Sequence, residues 1–166
     1  MDGLDAQIDD VARRAGVGVG TMYRHFPTKE TLIEALTLAH FELLAADADA
    51  AWASVESGGD AWEELCRLLR TSARRLARDA GLSEVVSNRP EAVQECAAVK
   101  TGLHSTIGRI MDRAIADGTL RADAVVSDIP LMMTGLGRVV SDNARAMGLS
   151  WERYVELMLD GLKSRP

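Results

Sequence analysis

Residues 8–30 read IDDVARRAGVGVGTMYRHFPTKE. The first apolar residues of this stretch recur at helical spacing, which predicts a short amphipathic helix over about 7–15. Gly16 supplies the C-cap at which that helix ends. A second short helix is predicted over about 19–26, because Pro27 cannot continue it. Two short helices joined by a tight turn that contains glycine predict a helix-turn-helix.

The second helix has two faces of different character. Met22 and Phe26 lie four residues apart, which predicts an apolar face that packs inward. Tyr23 and His25 alternate with them, so the hydroxyl group and the imidazole ring are predicted to face outward.

The charge of the chain is unevenly distributed. The formal net charge is −6, which by itself argues against a nucleic-acid partner. The segment from Val11 to Lys29, however, carries four cationic side chains and no acid, so the rest of the chain carries −10. The sequence therefore predicts a small basic head on an acidic body.

The remainder of the chain is predicted to be helical, so the expected fold class is all-α. The 166 residues are 47% hydrophobic, 27% charged and 4% aromatic, which favours packed helices over a β-sandwich. Thr28 is the predicted N-cap of a long helix that runs to about residue 54, with an inward stripe formed by Leu32, Leu36, Ala39 and Leu43. Later helices are predicted over about 81–86 and 92–118, and others begin at three capping residues, Asp60, Ser127 and Ser150.

The helix that follows Asp60 has a basic face opposite its apolar side. This face carries four arginines, Arg67, Arg70, Arg74 and Arg78. Rows of this kind are common on exposed helices, so a solvated face is predicted, with a second DNA contact as the alternative.

Residues 8–30 resemble the DNA-binding signature of the TetR family of transcription regulators. The shared pattern comprises a small residue at Gly20, then Thr21, an apolar residue, Tyr23, and the pairs His25-Phe26 and Lys29-Glu30. The resemblance implies an all-α protein with a helix-turn-helix DNA-binding domain over 1–30 and a helical ligand-sensing and dimerisation domain over 31–166. It implies a repressor that a small-molecule effector releases from its operator.

The resemblance also implies how the head would contact double-stranded operator DNA. Thr21, Tyr23 and Lys29 match positions that contact phosphates in the family, and a phosphate contact requires hydrogen-bond donors or a cation. Lys29 additionally lies in the first turn of the long helix, whose amides attract a phosphate. Positions that vary between family members are candidates for base reading: Arg24 for a guanine edge, and Val19, beside Gly18, for a thymine methyl group. The full set of predicted DNA-binding residues is Gly18, Val19, Thr21, Tyr23, Arg24, His25 and Lys29.

The head departs from the family pattern in two ways. Ala6 and Gln7 stand where the family usually has a serine or threonine that caps the helix and binds a phosphate. The family's DNA-binding domain also contains an earlier helix, which would lie upstream of the turn at Gly3 and Leu4. We therefore expect an incomplete head, with the natural start upstream of Met1.

The body is expected to bind an effector and to form a homodimer. Predicted walls of the effector pocket are Trp62, Cys66, Leu69, Leu103, His104, Ile107, Met111 and Met133, for which a plain hydrophobic core is the alternative. The last two helices resemble the pair that forms a four-helix dimer interface in the family, where Gly135 and Gly137 would allow close approach. The predicted interface residues are Leu136, Val140, Trp151, Val155, Met158 and Leu162.

Other functions are weaker alternatives. The three histidines are scattered and accompany no cluster of acidic ligands, so we expect no catalytic residue, no metal and no cofactor. A dimeric small-molecule-binding module that does not bind DNA, or an all-helical enzyme, remains the alternative. Cys66 and Cys96 lack metal-ligand spacing, which predicts buried thiols rather than a disulfide. With no signal peptide and no long apolar run, a cytoplasmic protein without a membrane partner is expected.

Overall fold

The computed structural model describes residues 6–79, 96–140, 148 and 150–165. Within these ranges the chain forms α-helices and no strand, which confirms the predicted all-α fold. The helices are α1 (Ile8–Ala15), α2 (Val19–His25), α3 (Lys29–Glu56), α4 (Ala61–Arg78), α5 (Ala97–Ala116), α6 (Asp128–Val139) and α7 (Trp151–Leu162). The helix predicted over 81–86 lies outside the described residues.

The turn between α1 and α2 is built on a glycine in the left-handed conformation. Gly16 has a φ of 70° and a ψ of 22°, which a residue with a Cβ adopts only with strain. Its N–H donates to the carbonyl of Arg13 at 3.3 Å, and the N–H of Val17 donates to the carbonyl of Ala12 at 3.0 Å. This pair of bonds is a Schellman motif, which confirms the predicted C-cap.

Helices α1 and α2 pack with the start of α3, and we call this unit the reader. Its buried side chains are Ile8, Ala12, Met22 and Leu32, with Val11 and Phe26 partly buried against them. Leu32 belongs to α3, so the two short helices depend on the long helix to complete their apolar cluster. Burying one large apolar side chain contributes about 1.5–3 kcal/mol, and short helices obtain most of their stability from such packing.

The N-terminus of α3 is closed by two threonines. The hydroxyl of Thr28 accepts a hydrogen bond from the N–H of Thr31 at 3.2 Å, and the hydroxyl of Thr31 accepts one from the N–H of Thr28 at 3.2 Å. This reciprocal pair is a capping box, which confirms Thr28 as the N-cap.

The buried face of α3 differs from the predicted one. Leu36, Ala39 and Leu43 are exposed, and of the predicted stripe only Leu32 is buried. The buried residues are instead Ile33, Thr37, His40, Ala48, Ala51 and Val55. Because α3 packs against α4 and α5, its buried line is the one that faces those two neighbours. Apolar residues occupy several faces of this helix, so the spacing of its leucines did not identify the buried one.

The remaining residues of α3, together with α4 to α7, form a second unit that we call the body. α3, α4 and α5 pack pairwise, while α7 contacts both α4 and α6. Asp60 accepts a hydrogen bond from the N–H of Glu63 at 2.9 Å, which confirms it as the N-cap of α4. The predicted inner face of α4 is also confirmed, because its residues are all buried: Trp62, Leu65, Cys66, Leu69, Ala73 and Leu76.

The last two helices approach each other closely at a glycine. A Cβ on Gly135 of α6 would overlap with the hydroxyl of Tyr154 on α7. That hydroxyl donates a hydrogen bond to the carbonyl of Met132 at 3.3 Å. Gly135 therefore allows a close approach between two helices of one chain, whereas the close approach predicted at the dimer interface stays a prediction.

Of the two capping residues predicted for these helices, one is confirmed and the other is wrong. Ser150 caps α7, because its hydroxyl accepts a hydrogen bond from the N–H of Arg153 at 3.2 Å. The prediction for Ser127 is wrong, since its side chain makes no capping hydrogen bond and its backbone is already helical. The carboxylate of Asp128 accepts the N–H of Val125 at 3.0 Å instead.

We predict that Gly135→Ala destabilises the body by about 1 kcal/mol, because the added methyl group displaces Tyr154 and its hydrogen bond. Gly102→Ala is the matched control, since a Cβ on Gly102 of α5 meets nothing within 4 Å. That control should stabilise the chain by about 0.5–1 kcal/mol through helix propensity. Urea unfolding measures both variants, and equal stabilisation by both would contradict the close packing at Gly135.

Candidate nucleic-acid interface and the helical body

Helix α2 separates a packed face from an exposed polar one. Met22 is buried in the reader core and Phe26 is partly buried beside it, which confirms the predicted inward face. The predicted DNA-binding residues of this segment, by contrast, are all exposed: Gly18, Val19, Thr21, Tyr23, Arg24 and His25. Each of these six residues is therefore accessible to an external partner.

The hydroxyl of Tyr23 is already engaged within the reader. The Asp9 carboxylate on α1 accepts a hydrogen bond from this hydroxyl, and the bond and the negative charge raise the pKa of Tyr23. Asp9 could not be identified from the sequence, because the spacing of residues along one helix does not show which residues of another helix it contacts. A phosphate that accepts the Tyr23 hydroxyl would have to replace this carboxylate as the acceptor.

The reader also carries cationic side chains and the N-terminal ends of its helices. Lys29 is half-buried in the first turn of α3, beside the capped N-terminus. Arg13 forms an exposed ion pair with Asp10 at 2.8 Å. Among the described residues Arg24 forms no ion pair, so its guanidinium is available to an external partner. The N-cap of α1 is Gln7 without a side-chain bond, as its departure from the family pattern predicts.

The predicted walls of the effector pocket lie mainly in the body core. Six of them are buried there: Trp62, Cys66, Leu69, Leu103, Ile107 and Met111. Met133 is partly buried against the same core. His104 is exposed on α5 and therefore does not face the interior with the others. This apolar interior agrees equally with an effector site and with the alternative of a plain core.

Few polar side chains are buried among the described residues. The hydroxyl of Thr37 donates to the carbonyl of Ile33, and that of Ser72 donates to the carbonyl of Leu68, so both are satisfied. His40 is also buried, and desolvation lowers its pKa, with a smaller contribution from the charge of Arg75. The burial of His40 was not predicted from the sequence, because the leucines of α3 were expected to form its buried face.

Neither cysteine is exposed, and the metal-ligand residue types form no cluster in the described part of the chain. Cys66 and Cys96 are both buried thiols, as predicted. Desolvation raises the pKa of Cys66 to about 11, so this thiol is protonated at neutral pH. No group of three or more histidine, cysteine or acidic side chains gathers within residues 6–79, 96–140 and 150–165. None of the described helices is both long and apolar enough to cross a membrane.

The structure places most of the predicted dimer residues inside a single chain. Five of the six are buried in the body core: Leu136, Val140, Val155, Met158 and Leu162. Trp151 is partly buried against it. These side chains already pack within their own chain, so they are not available to a partner subunit. The exposed leucines on the same helices are Leu131 of α6 and Leu157 of α7, with exposed fractions of 73% and 53%.

Two family profiles match the sequence. The profile described as bacterial regulatory proteins of the tetR family matches residues 2–36. The profile described as the C-terminal domain of SbtR-like transcriptional regulators matches residues 59–164, which is more than half of the chain.

Curated relatives carry the name of a transcriptional repressor. The HTH-type transcriptional repressor KstR of Mycolicibacterium smegmatis is 31% identical over 132 residues, which span 74% of this chain and 62% of that protein. KstR of Rhodococcus jostii is 27% identical over 169 residues, which span 96% of this chain and 76% of that protein. The chain thus matches less than two thirds of the length of the first of these relatives.

Solved structures of similar fold are also regulators. The TetR transcriptional regulator SCO0520 from Streptomyces coelicolor is 28% identical with a TM-score of 0.66, covering 99% of this chain and 91% of that one. A TetR regulatory protein from Mycobacterium vanbaalenii is 29% identical with a TM-score of 0.64, covering 98% and 86%.

We predict that the chain loses stability as the pH falls below about 6.5, the ordinary pKa of histidine. The pKa of His40 is lower in the folded chain than in the unfolded chain, so the unfolded chain binds more protons in this range. Stability is therefore fully present above the unfolded pKa, and it falls by up to about 1.4 kcal/mol per pH unit until the folded pKa is reached.

The measurement is urea unfolding at several pH values between 5 and 8, with His40→Gln and the control His104→Gln. His40→Gln should flatten the dependence in this range, and the control His104→Gln removes an exposed imidazole instead of the buried one. An unchanged slope in His40→Gln would contradict the assignment.

Proposed function

The chain belongs to the TetR family of bacterial regulatory proteins, and we propose that it is a homodimeric, cytoplasmic DNA-binding repressor that a small-molecule effector releases from its operator. The observation that carries this proposal is the division of α2 into a buried Met22 and an exposed polar face. The exposed face carries hydroxyl, imidazole and guanidinium groups, which are the donors that bind phosphate oxygens and base edges.

The reader surface supports two kinds of DNA contact. Tyr23, Thr21 and Lys29 carry groups that donate to phosphate oxygens, which position the protein on the duplex. The guanidinium of Arg24 can donate two hydrogen bonds to a guanine edge, and Val19 offers an apolar surface to a thymine methyl group. Asp9 opposes the first kind of contact, because its carboxylate holds the Tyr23 hydroxyl and repels a phosphate.

The proposed dimer uses α6 and α7 but not the side chains chosen from the sequence. Leu131 and Leu157 are large apolar side chains that one chain leaves exposed on these helices. A two-fold arrangement would bury both pairs of helices against each other as a four-helix interface. It would also place two readers at a fixed separation, as a palindromic operator requires.

The proposed effector site lies within the body, among the apolar side chains of α4 and α5. An apolar interior suits an effector that is itself mostly apolar. Binding there would change DNA affinity through α3, which packs in both the reader and the body. A coupling free energy of about 1–3 kcal/mol is typical of such linkage, and it acts in both directions.

The direct test of the proposed function is to sequence the DNA fragments that the purified protein retains from a fragmented genome. A recurrent palindromic motif is expected, and a synthetic duplex carrying it should bind with an affinity that falls steeply with salt. Retention of no sequence above background would instead favour the alternative of a small-molecule-binding module that does not bind DNA.

We predict that Lys29→Ala weakens binding to all duplexes and lowers the slope of log affinity against log salt by about one, because it removes one ionic phosphate contact. Arg24→Ala should instead cost about 1–3 kcal/mol at one base pair and relax the preference there. Titrations of matched and mismatched operator duplexes at several salt concentrations separate the two effects. A Lys29→Ala variant with parental affinity and slope would refute the phosphate role.

We predict that Leu131→Glu and Leu157→Glu each convert the dimer to monomers, because a carboxylate would be buried in the interface without a partner. The matched control is Leu43→Glu, an exposed leucine on α3 that lies outside α6 and α7. Sedimentation velocity should show monomers for the first two variants and a dimer for the control. An intact dimer in both test variants would place the interface elsewhere.

A further inference from the structure

The basic face of α4 forms a shallow groove on the surface of the body. Its volume is about 370 Å³, and its lining residues are Glu63, Glu64, Arg67, Arg70, Thr71 and Arg74. These positions recur at three or four residues, so they share one side of the helix. Arg78 follows Arg74 by one further turn on the same side.

Two of the arginines are held in place by carboxylates. Arg70 uses Nε and Nη2 to bind both carboxylate oxygens of Glu156 on α7, each at 2.9 Å. Arg67 uses Nε, at 2.9 Å, and Nη2 to bind Glu64. A guanidinium has five N–H donors, so the Nη1 group of each arginine keeps two donors. These donors are fixed in direction because each guanidinium is anchored by its other nitrogens.

The end of the groove nearer the C-terminus of α4 has an excess of donors over acceptors. Among the described residues Arg74 forms no ion pair and Thr71 forms no side-chain hydrogen bond. Three carboxylates lie near these donors, and two of them, Glu156 and Glu63, act on Arg70. Glu64 is neutralised by Arg67 and also accepts the hydroxyl of Ser54 at 2.8 Å. Glu63 lies about 16 Å from Arg74 along the helix, at 1.5 Å per residue.

We propose that this groove binds a phosphate group of a small molecule, held by Arg74, by Nη1 of Arg70 and by the hydroxyl of Thr71. These three side chains line the same groove, and donors from three side chains suit an anion with at least three acceptor oxygens, as a phosphate has, better than a planar carboxylate. This site is distinct from the reader and does not depend on the proposed function.

The position of the groove argues against the phosphates of operator DNA as its occupant. Arg75, which follows Arg74, forms an ion pair with Asp47 of α3. Asp47 lies about 27 Å from Lys29 along α3, at 1.5 Å per residue. Duplex DNA bound at the reader would therefore lie well away from Arg74.

The test is a titration of the full chain with inorganic phosphate, followed through backbone amide chemical shifts, against sodium chloride at equal ionic strength. Saturable shifts confined to residues 67–74 are expected with phosphate only. Arg74→Ala should weaken binding at least five-fold, and Arg74→Lys should weaken it less because the charge remains without the planar fork. The control Arg113→Ala removes another exposed arginine, on α5, and should leave the affinity unchanged.

Several results would overturn the proposal. Shifts that rise linearly, or that chloride reproduces, would mean that the face is only solvated and screened. Unchanged affinity in Arg74→Ala would place the phosphate elsewhere. The last experiment adds a short DNA duplex to the Lys29→Ala variant. Chemical-shift changes at residues 67–74 with the duplex, but none with inorganic phosphate, would assign this face to DNA instead.

Discussion

The structure depends on a single helix that is buried in two places. Leu32, near the start of α3, completes the apolar cluster of the reader, and Ala48, Ala51 and Val55 lie in the core of the body. The two short helices of the reader could not bury their apolar side chains against each other without α3. The reader is therefore held by its packing on α3, and α3 is held by its packing on α4 and α5.

This arrangement gives the proposed regulation a physical route. A helix packed firmly against α4 and α5 moves with them, so an effector that separates those helices would tilt α3 and the reader on it. Helix α2 is connected to α3 through the apolar cluster that Met22 and Leu32 share. A tilt would consequently change the distance between the two readers of a dimer, without any change inside a reader.

The features that could be predicted from the sequence are those set by neighbouring residues. The turn at Gly16 and the caps at Thr28 and Asp60 follow from local backbone chemistry, and all three are confirmed. The buried face of α3 could not be predicted, because its alanines and leucines cover several faces and the position of α4 and α5 decides among them. The dimer residues were assigned because the last two helices resemble the family's dimer pair, and that resemblance does not distinguish side chains that pack within one chain from those that pack between two chains.

The most direct test of the central role of α3 is amide hydrogen exchange in Leu32→Ala. Truncating a buried leucine costs about 2–5 kcal/mol. Protection should fall across residues 8–26, while residues 48–55 of α3 and the buried residues of α4 should keep their parental protection. Unchanged protection over residues 8–26 would show that the reader is stable without Leu32, and would contradict the claim that α3 holds it.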